Sequence, residues 1–174
     1  MKSLNEYANL DDVVVVALGS NLPGDYRDVP ALLEAALEAL AAHGLTVVAR
    51  SDWWRSAAWP DPAQPAYTNG VAIVETALGV RETLLQLHAI EAAFGRERGE
   101  TNAARTLDLD LIAHGRAVTD GEGVAVPHPR AHERLFVMGP LAQIAPGWVH
   151  PVLGVTATEL AATARVGADA HLLA

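Results

Sequence analysis

The alternation of apolar and polar positions divides the chain into short strands and two strongly periodic helices. Residues 12–18 are almost wholly apolar, Val13 to Val16 are all β-branched, and Gly19-Ser20-Asn21 ends the run, which reads as a buried strand. From about residue 25 to 43, Val29, Leu32, Leu33, Ala36, Leu37 and Leu40 recur at helical spacing, with Gly44 at the stop. Residues 45–54 predict a second strand. Residues 56–65 hold three prolines and no periodicity, so they form a loop. A third strand is expected over 67–76, and Leu78-Gly79 is a turn. The second helix runs over about 80–94, with Val80, Leu84, Leu87, Ile90 and Phe94 on or near one face. Residues 95–104 form a polar loop, 105–113 a fourth strand, and 116–118 and 124–126 short extended pieces. Helical stretches near 133–144 and 156–164 follow.

The order strand, helix, strand, strand, helix, strand predicts an α+β fold, a ferredoxin-like antiparallel sheet with helices packed on one face. Residues 1–12 read as a polar N-terminal extension, and 13–174 as a single domain without internal repeat or linker. This arrangement hosts many functions and chooses none.

Composition narrows the field. With 51% hydrophobic and 19% charged residues, the chain is expected to fold compactly. It has no run of about 20 apolar residues that would span a bilayer and no signal-like start, so a cytoplasmic address is expected. The absence of cysteine excludes disulfides, thiolate metal sites and cysteine nucleophiles. A net charge of −9 argues against nucleic acid or anionic membrane as partners. The distribution of cations is more telling. Lys2 is the only lysine, and Arg96, Arg98, Arg105, Arg116, Arg130 and Arg134 fall within one segment. Guanidinium groups gathered in this way suit phosphate oxygens, although a solvated arginine-rich loop has the same composition.

The candidate chemistry lies in Arg105-Thr106-Leu107-Asp108-Leu109-Asp110-Leu111. On a strand, Asp108 and Asp110 share one face about 6.5–7 Å apart while the leucines point to the core. Two carboxylates so placed can hold one divalent cation or bridge two. The alternative is the wet face of an amphipathic strand. Aspartate is depleted in strands, and here a pair follows directly on an arginine-rich loop, which favours a metal-bound polyphosphate. Pro129 disfavours a helix that would bring His128 and His132 together, so zinc is not expected.

Taken together, Ala17-Leu18-Gly19-Ser20-Asn21-Leu22, Gln64-Pro65-Ala66-Tyr67-Thr68-Asn69, the run from Arg105 to Leu111, and Val126-Pro127-His128 with Arg134 and Phe136 resemble the 6-hydroxymethyl-7,8-dihydropterin pyrophosphokinases of folate biosynthesis. The resemblance covers about residues 13–159. It implies transfer of pyrophosphate from ATP to the hydroxymethyl group of the reduced pterin, with AMP as the other product. By the same resemblance, Asp108 and Asp110 hold two Mg2+ ions bound with ATP. Arg96, Arg98 and Arg105 contact the triphosphate, and His128 and Arg134 bind ATP from the far side. His88 stands where a glutamine often assists ATP, and Glu91 supports the site from behind. Tyr67, Asn69 and Phe136 form the pterin pocket, with the backbone near Ser56, Ala57 and Trp59 reading the ring's polar edge. A monomer acting on these two small molecules is expected.

The sequence departs from the family in three places. Asn102-Ala103-Ala104 replaces a common Arg-Trp-Gly-Pro run, His88 replaces the glutamine, and Pro129 replaces a tyrosine. Two other readings remain open: a two-metal nucleotidyltransferase releasing pyrophosphate, and a non-catalytic ligand-binding module.

Overall fold

The computed structural model describes residues 9–95 and 106–174. The predicted 95–104 loop, with Arg96 and Arg98, and also Arg105, falls almost entirely outside the described residues. In chain order the elements are β1 (Val14–Ser20), α1 (Val29–Ala42), β2 (Thr46–Arg50), β3 (Trp54–Ser56), β4 (Tyr67–Glu75), α2 (Val80–Ala93), β5 (Asp108–His114), β6 (Thr119–Gly121), β7 (Val124–Val126), α3 (Leu135–Ile144), α4 (Ala157–Thr163) and β8 (His171–Leu172). The main sheet is antiparallel throughout its named pairings, in the order β5-β1-β4-β3-β8, with β2 paired to the other half of β4. A small β6-β7 hairpin stands apart.

Local chemistry sets the boundaries. Helix α1 starts at Val29 rather than residue 25, because the Asp28 carboxylate accepts from the Ala31 N–H at 2.8 Å and caps the first turn. It stops before Gly44, whose φ of +79° suits a residue without a side chain. Glu82 reaches back to the Gly79 N–H at 2.7 Å and fixes the start of α2. The strand expected over 45–54 is two strands. Between them Ser51 turns inward, its Oγ accepting from the Val71 N–H at 3.0 Å, and the register shifts between Val47 and Ala49. The extended piece expected at 116–118 begins later, as β6 at Thr119, after a turn closed by the Ala117 N–H on the His114 carbonyl.

The helices do not share one face, which corrects the sequence expectation. All seven residues of β1 are buried, so both sides of the sheet need cover. Val14, Val16 and Leu18 meet Leu32, Leu33, Leu37 and Leu40 of α1 and Leu87 and Ile90 of α2. On the opposite side Val13, Val15, Val71, Ile73 and Ile112 meet Val137, Met138 and Leu141 of α3 and Leu160 of α4. Each large aliphatic side chain so removed from water contributes about 2 kcal/mol. Before β1, Leu10–Asp12 form a 3-10 turn capped by Asn9, and Leu10 packs on the second core. Among the described residues no helix is long and apolar enough to cross a membrane.

Candidate active site

The second sheet face changes character along its length. Near α3 it carries Val13, Val15, Val71 and Ile73; further on, the same alternation presents Gly19, Asn69, Tyr67, Asp108 and Asp110. Register explains the grouping: Gly19 pairs with Asn69 on one side and with Asp108 on the other, and Ala17 pairs with Asp110. The helical cover ends where the polar positions begin, leaving a cleft of about 570 Å³. That volume suits a small-molecule ligand.

Asp108 and Asp110 are half-exposed on β5, while Leu107, Leu109 and Leu111 are buried against α1 and α2. At the next position the ladder slips between Val15 and Val16, so that Ile112 and Ala113 both join the second core. The predicted orientation of the carboxylate pair is therefore the one observed. Gly19 permits the close approach of the neighbouring strand, since a Cβ there would lie 3.2 Å from Asn69 Oδ1.

One end of the cleft is an amide-bearing pocket. Asn69, 6% exposed, donates from Nδ2 to Ser56 Oγ at 2.9 Å, and Ser56 is itself buried. Tyr67 and Phe136 line the same space, and the Arg134 guanidinium lies 5.9 Å from the centre of the Phe136 ring. Trp59 stands at the lip, 65% exposed. Asn21 ties the loop after β1 to this end, its Nδ2 donating to the Pro65 carbonyl at 3.2 Å.

His128 and Arg134 line the cleft as well. The His128 N–H donates to the Ile112 carbonyl at 2.8 Å, laying this segment against β5. Burial pushes the His128 imidazole below its ordinary pKa, helped by the charges of Arg134 and Arg130 and opposed by that of Asp110. Its Nδ1 accepts from the Arg130 N–H at 3.2 Å, so in the neutral ring the proton sits on Nε2.

Glu91 and His88 do not line the cleft. Glu91, 3% exposed on α2, accepts at 2.8 Å from the Leu109 N–H, the peptide between the two aspartates. It supports β5 from behind. His88 is exposed on α2. Ser56, Ala57, Trp59, Tyr67, Asn69, Asp108, Asp110, His128, Arg134 and Phe136 all meet in one space. Sequence reasoning gave no role to Asp61, Gln64, Arg130 or Val166, which also line it. Gln64 and Arg130 lie inside or beside the motif segments, a usable signal; Val166 carries none.

Fold and cleft together define an α+β protein that presents a carboxylate pair beside a pocket lined by an asparagine amide and aromatic rings. The fold is similar to that of two solved HPPK-DHPS structures from Plasmodium falciparum. One is the wild type (TM-score 0.66, 12% identity) and the other a double mutant with pterin and p-hydroxybenzoate (TM-score 0.69, 13% identity). In both, 86% of this chain is covered, and it spans only 44% and 43% of those chains. Sequence goes further. The chain is 43% identical over 147 residues to the 2-amino-4-hydroxy-6-hydroxymethyldihydropteridine pyrophosphokinase of Synechocystis sp., covering 84% of this chain and 73% of that one. It is 40% identical over 133 residues to the enzyme of the same name from Pseudomonas aeruginosa, covering 76% and 80%. Residues 15–146 match the family described as 7,8-dihydro-6-hydroxymethylpterin-pyrophosphokinase (HPPK), and the chain belongs to that family.

Proposed function

We propose that this cleft transfers pyrophosphate from ATP to the hydroxymethyl group of 6-hydroxymethyl-7,8-dihydropterin, giving the pterin diphosphate and AMP for folate biosynthesis. The observation that carries this reading is the juxtaposition, on one sheet face, of two half-exposed carboxylates and a buried asparagine amide. A binding module has no need of the first, and a general phosphotransferase has no need of the second. The strand order β5-β1-β4-β2 also supports reading the sheet as a ferredoxin-like arrangement.

Magnesium is the metal the donor set fits. Both carboxylates are hard oxygen donors, and among the described residues no cluster of three or more histidine, aspartate or glutamate side chains could enclose an ion. Asp108 and Asp110 would hold the metal together with phosphate oxygens and water, and the family resemblance implies two ions. An ion held there would supply positive charge that offsets the charge of the polyphosphate.

The residues of the chain do the rest. Asn69 offers a carbonyl oxygen and an N–H beyond the one given to Ser56, the donor–acceptor pair a pterin edge requires. Tyr67 and Phe136 supply walls for the ring. Arg134 and the neutral Nε2–H of His128 donate to nucleotide oxygens, and Arg96, Arg98 and Arg105 add guanidinium groups from the preceding segment. The pterin hydroxyl, held at the boundary of the two regions, attacks the β-phosphorus in line. The bond from that phosphorus to the oxygen of AMP breaks, AMP departs with that oxygen, and the hydroxyl proton is lost to water. Most of the rate enhancement is positioning and fixed charge.

The test is incubation with ATP, magnesium and the hydroxymethyl-dihydropterin, followed by separation of products. AMP and pterin diphosphate are expected. Pyrophosphate as a product would indicate a nucleotidyltransferase, and no magnesium-dependent turnover would leave a binding module.

A further inference from the structure

We infer that the C-terminal segment, residues 165–173, braces the pterin end of the cleft, with Asp169 as the positioning residue for Ser56 and Asn69. The inference rests on the function proposed above and adds to it a residue far from every motif.

Strand β3 is only three residues long, and its ladder with β4 ends at Ser56 and Tyr67. Beyond it, residues 57–66 contain no helix or strand, yet Ala57 and Trp59 line the pocket. At this junction the Asp169 carboxylate accepts from the Ala57 N–H at 2.6 Å, across 112 positions of sequence. A trans peptide is planar, with N–H and C=O pointing opposite ways. Holding the Ala57 N–H on the Asp169 side therefore turns the Ser56 carbonyl to the other side and fixes the backbone from which Ser56 Oγ meets Asn69.

Asp169 is itself held. The Ala170 N–H closes a turn on the Gly167 carbonyl at 2.9 Å, and β8 pairs Leu172 with Trp54 and His171 with Arg55. The Leu173 N–H then reaches the Trp53 carbonyl at 2.8 Å. Upstream, the Leu135 N–H donates to the Val166 carbonyl at 2.9 Å, and Gly167, at φ +66°, lies under the Phe136 ring where a Cβ would collide. The segment thus runs as a strap from the start of α3 to β3, touching both aromatic and amide walls. An exposed aspartate at a strand end would ordinarily do no more than finish the strand. Here its partner is the first peptide of the pocket loop.

The test compares the full-length wild type with Asp169→Ala and Asp169→Asn. Calorimetric titrations use 6-hydroxymethylpterin, with magnesium and a non-hydrolysable ATP analogue present, and the nucleotide analogue alone. Loss of a charge-assisted hydrogen bond predicts a pterin Kd raised about tenfold in Asp169→Ala and a nucleotide Kd unchanged. Asp169→Asn, whose amide oxygen still accepts, restores most of the affinity. Equal weakening for both ligands, or a lowered melting temperature with an unaltered pterin Kd, overturns the inference while leaving the proposed function standing. Failure of the wild type to bind the pterin would remove both.

Discussion

At the scale of single residues, the aspartate pair was legible because leucines flank each member, and a strand allows only one arrangement of such a pattern. If the aspartates hold metal as proposed, Asp108→Ala or Asp110→Ala is expected to leave the fold intact and lower turnover roughly a thousandfold, a loss of several kcal/mol. Steady-state AMP release and a circular dichroism spectrum check both halves, and near-normal AMP release would refute the assignment. Glu91 is a different case. Its burial and its bond to Leu109 depend on how α2 lies behind β5, which spacing along the chain does not reveal. Removing the acceptor strands a buried N–H, so Glu91→Ala should cost about 1–3 kcal/mol, lowering the melting temperature by roughly 3–10 °C. Differential scanning calorimetry would measure it, and an unshifted transition would show that the bond contributes nothing.

At the scale of elements, β1, β4, β5 and the first two helices were legible as apolar runs or periodic stretches ended by turn residues, whereas the break between β2 and β3 and the short β8 were not. The third helix was found, but its side of the sheet was not. Val137, Met138, Gly139, Pro140 and Leu141 are buried in succession, so α3 has no polar stripe to show where water lies. The all-buried β1 held the missing clue, since a strand apolar on both sides needs cover on both. Aromatic seats on glycine were equally hidden. A Cβ at Gly70 would lie 2.5 Å from Trp53 Cζ3, and the Trp53 indole is fixed by its Nε1–H donating to Glu34 at 3.1 Å. Gly70→Ala should therefore destabilise the protein by about 1–3 kcal/mol in urea unfolding. Adding Trp53→Leu should cost less than the sum of the two single changes, and strict additivity would argue against the contact.

For the molecule as a whole, stability should depend on acidity through a histidine remote from the cleft. His150, buried beside Trp148 and His132, accepts on Nδ1 from the Val152 and Leu153 N–H groups. Burial, then His132, then Arg116 lower its pKa. The unfolded chain thus takes up the proton first, so the contribution is complete above about pH 6.5 and is lost as pH falls through the lower folded value. His128 is shifted in the same direction and adds to the slope. Urea unfolding at pH 7.5 and 5.5 should show the wild type losing more stability on acidification than His150→Gln, and equal losses would count against it. None of this was visible in the sequence, where His150 is one polar residue in a C-terminal stretch without periodicity.

The bare half of the second sheet face has a thermodynamic corollary. If the proposed pterin site is the true one, a ring lodged beside Asn69 and Tyr67 would finish a layer that the described residues leave incomplete, so that occupancy and folding become linked equilibria. A pterin analogue at a hundred times its Kd adds about 2.7 kcal/mol to the folded state by mass action. That is enough to rescue a crippled variant such as Gly70→Ala, and it makes tight inhibitors of this cleft into chaperones of the same chain.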